Sequence, residues 1–542
     1  MRIWKVSAQP LLRRASLLSL VLLSQLSDSF LALAQAQETR PNIIFLLTDD
    51  QRADTLSIAG NNEITTPNID WLAENGIRYN SAFTVAPICA PSRFAFLSGQ
   101  YERISGLGFN SPYQVSEAQW VQTYPALLRE AGYFTGFIGK FGVQYYSLKS
   151  SANAKFDYWR AHDGWLPFFP KDLPSNPATL AYKDAKAEIT TEIMGEFVQD
   201  FLGKLPKDKP FNLSVSFSAP HNSVVSSMYT DGADPDCTHY ACRVMGYPAN
   251  NNPKLRGHPF YDELYRNPPR SIAADTGLSS DPFIDKDIID HAARQKWYAY
   301  NYDPVLQREH QVRYYQAISS IDNVVGKLVQ RLQTLGLADN TIIIFSSDHG
   351  LLNGEYGTGG KALLYDLVAK IPLIIFDPRA PRAQRSVVKD DLVLSIDIPA
   401  SILAYANVRQ PGAMQGRDLN TGVSPRTEVF LESLTVAEGN PFIEALRTRE
   451  WKYVRYLKAN GCPYTEAQLD FTHQRPIFEQ LFHLTDDPLE RRNLASEPVH
   501  ADRLSDFRKR TQLQSIEMTQ EGRSYKKQLP VPLRPVEGAY CW

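Results

Sequence analysis

Neither sign of charge is in excess: 57 lysines and arginines face 59 aspartates and glutamates in 542 residues, a formal net charge of -2. There is no basic run either, so the chain has no electrostatic handle for nucleic acid or an anionic membrane. Internal repeats and low-complexity segments are absent, which excludes repeat architectures. Long apolar runs are missing too. The stretch from Ala15 to Leu26 is broken by serines and is shorter than the roughly 20 residues a spanning helix needs. Cysteine is scarce, with 5 residues, and the odd count leaves one without an intramolecular partner. The remaining composition, 43% hydrophobic and 21% charged, is that of a soluble globular chain long enough for two packed domains.

Arg2, Lys5, Arg13 and Arg14 precede the short apolar stretch. Ala32-Leu33-Ala34 or Ala34-Gln35-Ala36 then offers small residues for cleavage. This pattern predicts a signal peptide over residues 1–36 and a mature chain that is periplasmic or secreted; the alternative is an uncleaved anchor. In an oxidising compartment the cysteines are expected to pair as Cys237–Cys242 and Cys462–Cys541, one of three possible pairings. Cys89 is left over. Such a cysteine is either a reactive group or an intermolecular link.

Asn42 to Leu47 is a continuous apolar run ending in polar residues, the pattern of a buried parallel strand. Tyr133 to Ile138, Phe211 to Phe217, Thr341 to Ser346 and Pro372 to Phe376 read as further central strands. Thr66-Pro67 predicts a helix with a threonine N-cap, stopping at Gly76. Ile318, Ile321, Val325, Leu328, Leu332 and Leu335 recur at helical spacing, closed by Gly336. Strands alternating with helices imply an α/β fold, a large mainly parallel sheet flanked by helices. Beyond the Gly- and Pro-containing stretch near 411–425, strands at Glu428–Leu431 and Trp451–Tyr456 and a helix near Ala501–Gln514 predict a smaller α+β domain. The expected organisation is therefore 37–420 for the larger domain and 421–542 for the smaller one. Inserts at roughly 148–195 and 222–310 interrupt the larger domain.

Acids collect at strand ends. Asp49 and Asp50 follow the first strand, and Asp348-His349-Gly350 follows the fourth. Sites in doubly wound sheets lie outside the carboxyl ends of strands. Three carboxylates converging there need a cation, and oxygen ligands favour calcium or magnesium. The competing reading is that the aspartates cap a helix and form a turn.

Cys89-Ala90-Pro91-Ser92-Arg93 resembles the sulfatase signature C-x-P-S-R, continued by Leu97-Ser98-Gly99-Gln100-Tyr101. Other blocks follow in family order: Thr66 to Asp70; Gly132 to Gly136 leading to Gly139-Lys140; Ser346 to Gly350 with Gly360-Lys361 and Ile371-Pro372-Leu373; and, near the end, Leu481 to Leu484 with Asp487-Pro488. On these blocks the chain is identified as a member of the formylglycine-dependent sulfatases of the alkaline phosphatase superfamily.

The resemblance implies an alkaline-phosphatase-like fold and hydrolysis of a sulfate ester. It implies that a formylglycine-generating enzyme converts Cys89 to an aldehyde, hydrated to a diol. One hydroxyl attacks sulfur, and the other collapses the sulfated intermediate. Asp49, Asp50, Asp348 and His349 map onto the ligands of one calcium ion, with Cys89 beside it; His349 is an asparagine in some relatives. Arg93 and Lys140 resemble the groups that hold the diol, Lys361 the lysine at the sulfate and leaving oxygen, and His221 a proton donor. Singly, Arg93 and Lys361 would read as surface charges and His221 as a structural histidine.

One position departs from the pattern. The family usually has a histidine two residues after the motif lysine, where this chain has Gly142. Either water, His162 or His239 would then take the proton from the diol, or that step is slower. Aromatics in the inserts (Trp159, Trp165, Phe168 and Phe169; Trp297, Tyr298, Tyr300 and Tyr302) either stack on sugar rings or pack internally. The expected substrate is a sulfated carbohydrate. The rivals are a phosphonate or phosphodiester hydrolase of the same superfamily and a non-catalytic glycan-binding protein.

Overall fold

The computed structural model describes residues 40–533 apart from 144–151, 165, 173–181, 227, 229–263, 266–284, 294–303, 421–423 and 437–438. The main sheet has eight strands: β1 (Asn42–Thr48), β2 (Ile77–Tyr79), β3 (Phe134–Lys140), β4 (Tyr158–His162), β5 (Phe211–Ser216), β6 (Thr341–Ser347), β7 (Leu373–Phe376) and β8 (Val387–Lys389). Their order is β8-β2-β7-β6-β1-β5-β3-β4. β1 lies at the centre and is buried along its whole length, parallel to β5 and β6. That is why its text is apolar without alternation. β7 is antiparallel to both β6 and β2, so the sheet is mixed and mostly parallel. The chain from β6 to β7 turns back at the end of the sheet where β6 finishes, without a crossover helix.

Helices α1 (Pro67–Glu74), α2 (Cys89–Ser98), α3 (Thr190–Gly203), α4 (Pro304–Thr334) and α5 (Asp397–Tyr405) cover the sheet. Successive β1 residues feed opposite layers, as a strand period of two requires. Ile44 and Leu46 join Phe201 of α3 and Ile318 and Ile321 of α4. Ile43, Phe45 and Leu47 join Phe94 of α2 and Ile402 of α5. The apolar spacing from Ile318 to Leu332 is buried as expected, whereas Leu335, just past the helix end, is exposed, and Gly336 follows at φ 67°. Phe168 and Phe169 are buried in the first layer and therefore pack internally. The second aromatic group lies outside the described residues.

One capping expectation is corrected. Pro67 opens α1, but the Thr66 side chain caps nothing. Its hydroxyl donates to Asp70 at 2.9 Å instead. The helix amides are met by Asp322 of α4, which accepts from Asn68 N at 3.0 Å and Ile69 N at 2.8 Å. A carboxylate from another element serves both orphan donors, as one short hydroxyl could not.

The C-terminal part is an antiparallel sheet of β9 (Glu428–Ser433), β10 (Phe442–Thr448), β11 (Trp451–Leu457) and β12 (Phe478–His483), in that order, with α6 (Ala501–Gln528) against it. One apolar cluster runs from Phe83 and Tyr101 into Val429, Ala445 and Phe507. Packing thus continues across the change of sheet. Arg103 sits in the middle of that junction. It bonds Glu432 at 3.0 Å, Glu444, and Ser515 Oγ at 2.8 Å. Cys237, Cys242 and Cys541 lie outside the described residues, so neither expected bridge lies wholly within them.

Glu102, beside Arg103, is also buried and accepts the Tyr464 hydroxyl at 2.8 Å. Burial, and then Glu432, push its carboxyl from 4.5 up to about 8. The folded chain thus holds a proton that the unfolded chain releases, and stability falls as pH rises through that window. Glu102→Gln keeps the acceptor and should flatten the fall. Urea midpoints between pH 5 and 8 check this; a variant that declines as steeply as the parent contradicts it.

Candidate active site

β1 and β6 are adjacent and parallel, so the residues that follow them emerge together. Asp49 and Asp50 come from β1, and Asp348 and His349 from β6. Asp50 adopts φ 66°, uncommon for a residue with a side chain. The turn is held by Asp50 N donating to Asp348 Oδ1 at 3.0 Å and by Tyr314 OH donating to Asp50 O at 2.6 Å. Cys89 opens α2, where the amide dipoles favour negative charge. Ser92, one turn on, donates to the Asp348 carbonyl at 2.6 Å and so joins α2 to β6.

Ligand atoms of Asp49, Asp50, Cys89 and His349 all lie within 4.8 Å of one another. Asp348 stands at the edge of this group, its Oδ1 3.6 Å from His349 Nε2. The cations surround it. Lys140 Nζ bonds Asp49 Oδ2 at 2.6 Å. Arg93 reaches Asp348 Oδ2 at 2.9 Å and Asp49 Oδ1 at 3.4 Å. Lys361 Nζ lies 2.7 Å from Asp50 Oδ1 and 2.9 Å from Cys89 Sγ. His221 Nε2 lies 3.7 Å from Asp50 Oδ2. Ser223 N donates to His221 Nδ1 at 3.1 Å, so the neutral ring carries its proton on Nε2.

Burial opposes every charge here, and the neighbours decide the outcome. Burial would raise Asp49, but Lys140 and Arg93 hold it well below the ordinary carboxylate value. Asp50 is lowered against burial by Lys361 and His221. Asp348 goes the other way, pushed up to about 6 by burial, with His349 pulling against it. Burial works against a charged His349, yet Asp348 lifts it to about 9. The Cys89 thiol, raised by burial, is brought well below its usual value by Lys140 and Lys361.

These residues fit a divalent cation. Asp50 Oδ2 and His349 Nε2 are buried without a hydrogen-bond partner among the described residues. Such atoms are rare in native folds unless something else satisfies them. Two carboxylates and an imidazole edge form a donor set a cation would complete.

Gly142, at φ 64°, leaves no room for a side chain: a Cβ would stand 2.7 Å from Arg93 Cδ. His162 pairs with Lys140 across β4 and β3, with Nε2 3.0 Å from Ser218 Oγ. Burial, then Lys140, bring its pKa down to about 3. His239 lies outside the described residues. The supporting roles of Tyr314 and Ser216, which accepts from Arg93, are absent from the sequence reading. Tyr314 meets Asp50 across 264 positions, and no local pattern signals that contact.

Among the described residues no helix is long and apolar enough to cross a membrane. A sulfatase family profile matches residues 41–408. An ulvan-active sulfatase from Formosa agariphila is 26% identical over 442 residues, covering 78% of this chain and 74% of that protein. An N-acetylglucosamine-6-O-sulfatase from Bacteroides thetaiotaomicron is 27% identical over 438 residues, covering 74% and 75%. A structure determined with its substrate D-glucosamine-2-N,6-O-disulfate superposes with a TM-score of 0.61 at 22% identity, covering 91% of this chain and 99% of that one. A phosphonate monoester hydrolase of Agrobacterium radiobacter shares the fold at 0.61 and 18%, covering 89% and 96%. The profile spans every strand that builds the pocket around Cys89, and the chain belongs to the sulfatase family, a sulfuric ester hydrolase.

Proposed function

We propose that this protein hydrolyses a sulfate ester on a sulfated carbohydrate, with Cys89 converted to formylglycine as nucleophile and one calcium ion bound beside it. The observation that carries this is the closeness of Cys89 to Asp49, Asp50 and His349 on one side and to Lys361 on the other. Asp49, Asp50, Asp348 and His349 would hold the ion, which supplies positive charge for the sulfate oxygens and acidifies a neighbouring hydroxyl. The substrate class follows the named relatives, which act on ulvan and on N-acetylglucosamine sulfate.

The chain's own groups do the rest. Arg93 and Lys140 fix the carboxylates and hold the hydrated side chain of residue 89. Lys361 faces the sulfate and the leaving oxygen, where negative charge grows. His221 carries its proton on Nε2 and gives it to the leaving alcohol. With Gly142 in the usual histidine's place, water or His239 receives the proton that the diol gives up, because burial and Lys140 leave His162 a weak base. The domains at 37–420 and 421–542, the signal peptide at 1–36 and the bridges Cys237–Cys242 and Cys462–Cys541 complete an exported enzyme matured by a formylglycine-generating enzyme. A phosphonate or phosphodiester hydrolase is the second reading, because that chemistry occurs on the same fold.

Peptide mass spectrometry across residue 89, run beside rates on a sulfated sugar and an aryl phosphate, tests the nucleophile. Activity should rise in proportion to aldehyde content. Cys89→Ser should stop after one turnover, and Cys89→Ala should lose activity on the order of 10^3-fold or more. Full activity with unmodified cysteine sinks the mechanism, and a preference for phosphate favours the second reading. Asp348→Asn removes one charge beside the ion and should weaken calcium binding by about tenfold or more. A chelator titration of activity measures this; an unchanged midpoint, or stoichiometric transition metal in elemental analysis, rejects the ligand set.

A further inference from the structure

The backbone around Lys361 is held in two uncommon conformations: Tyr356 has φ 59° and Ala362 has φ 73°. Side-chain-bearing residues keep such angles only where the surroundings over-determine them. Ala362 is fixed by its N–H, which donates at 2.9 Å to the carbonyl of Pro87, two residues before Cys89. Tyr356 is fixed differently. Its ring stacks on Tyr365 with centroids 3.9 Å apart and planes 10° apart, and its hydroxyl donates to the Leu489 carbonyl at 2.8 Å. The stacked pair brackets Lys361 in sequence and closes the base of the loop that carries it.

Asp285 touches both tyrosines from outside that loop. Its Oδ2 accepts the Tyr365 hydroxyl at 3.2 Å, and its N–H donates to the Tyr356 carbonyl at 3.1 Å. Oδ1 caps its own helix, Lys286–His291, by accepting from Ile288 N at 3.0 Å. That helix belongs to the insert 222–310. It is held from the other side by His291, which stacks on Phe478 of β12 at 4.5 Å and 9°. One carboxylate oxygen is enough for a helix cap, and the second is committed to the lysine loop.

We propose that Asp285 is a positioning residue for Lys361: by tying Tyr356 to Tyr365 it sets where the ammonium stands beside Cys89, and it makes that placement depend on the insert. The proposal rests on the reading above, in which Lys361 stabilises the leaving oxygen. A displaced ammonium leaves charge on that oxygen uncompensated in the transition state. The shortfall grows as the leaving alcohol becomes a weaker acid. A loss of folded or modified protein scales every rate by the same factor and leaves that dependence alone.

The test is a series of aryl sulfates from good to poor leaving groups, hydrolysed by full-length, aldehyde-bearing protein. Asp285→Ser keeps a helix cap but is too short to reach Tyr365. It should slow the poorest leaving group about tenfold and the best no more than about twofold, as a misplaced catalytic group does. Tyr365→Phe should reproduce the steeper dependence, and Asp285→Asn, whose oxygen caps Ile288 N while its amide nitrogen donates to the Tyr365 hydroxyl oxygen, should restore the parent's. Lys361→Ala supplies the limiting steepness. Parallel slopes for Asp285→Ser and Tyr365→Phe, alongside a steeper one for Lys361→Ala, would overturn the coupling and leave the lysine's role standing. An unchanged slope in Lys361→Ala would overturn both.

Discussion

Three carboxylates buried at the ends of β1 and β6 are tolerable only because cations meet them at contact distance. Asp49 has Lys140, Asp50 has Lys361, and Asp348 has Arg93. Ions taken out of water singly would be strongly unfavourable, whereas a compensated set can stay ionised. Lys140, Lys361 and Arg93 balance the three carboxylates, so a divalent ion that displaces the His349 proton would leave the pocket with that ion's two charges in excess. An anionic sulfate ester would meet this excess next to Cys89. The order of strands matters because it brings these charges together: β1 must lie between β5 and β6, and β3 must carry Lys140 to the same end.

The pocket also depends on parts of the chain that contribute nothing to its chemistry. Arg93 is fixed by Lys140 O and Ser216, Asp348 by Ser92 and two backbone amides, and Asp50 by Tyr314. Lys361 is reached through the Tyr356–Tyr365 stack and thus through the C-terminal sheet and the insert. The buried pair Lys452–Glu490 and the bonds from Lys452 and Arg447 to Asp366 extend that support just beyond the loop. A small antiparallel sheet far along the chain therefore helps to place a lysine beside Cys89.

Much of this was legible in the text, for reasons that are physical and local. β1 and β6 announce themselves because a strand buried on both faces cannot alternate. Asp49, Asp50 and Asp348 follow such strands at once, and Cys89 opens α2 beside Asp49 and Asp50. What stayed hidden has a common cause. β10 and β12 carry buried polar residues such as Glu444 and Gln480, so neither reads as an apolar strand. Asp322 caps a helix some 250 positions away, and Asp285 lies in an insert whose composition says little. Local periodicity reports burial, whereas partners across hundreds of residues emerge only once the sheet order is known. Gly142 was visible as a departure, but the contact with Arg93 that forbids a side chain there was not.

The chemistry of this pocket depends on whether it takes a cation through His349 as well as through carboxylates. Burial opposes a charge on His349, yet Asp348 lifts it to about 9, so an ion bound at Nε2 must displace the proton held there. Calcium titration calorimetry at pH 7, in two buffers of different ionisation enthalpy, measures that proton. The expected result is one ion per chain, release of about one proton per ion, and an affinity that rises as pH approaches 9. Calcium binding with no proton exchange, or no calcium binding at all, would contradict it.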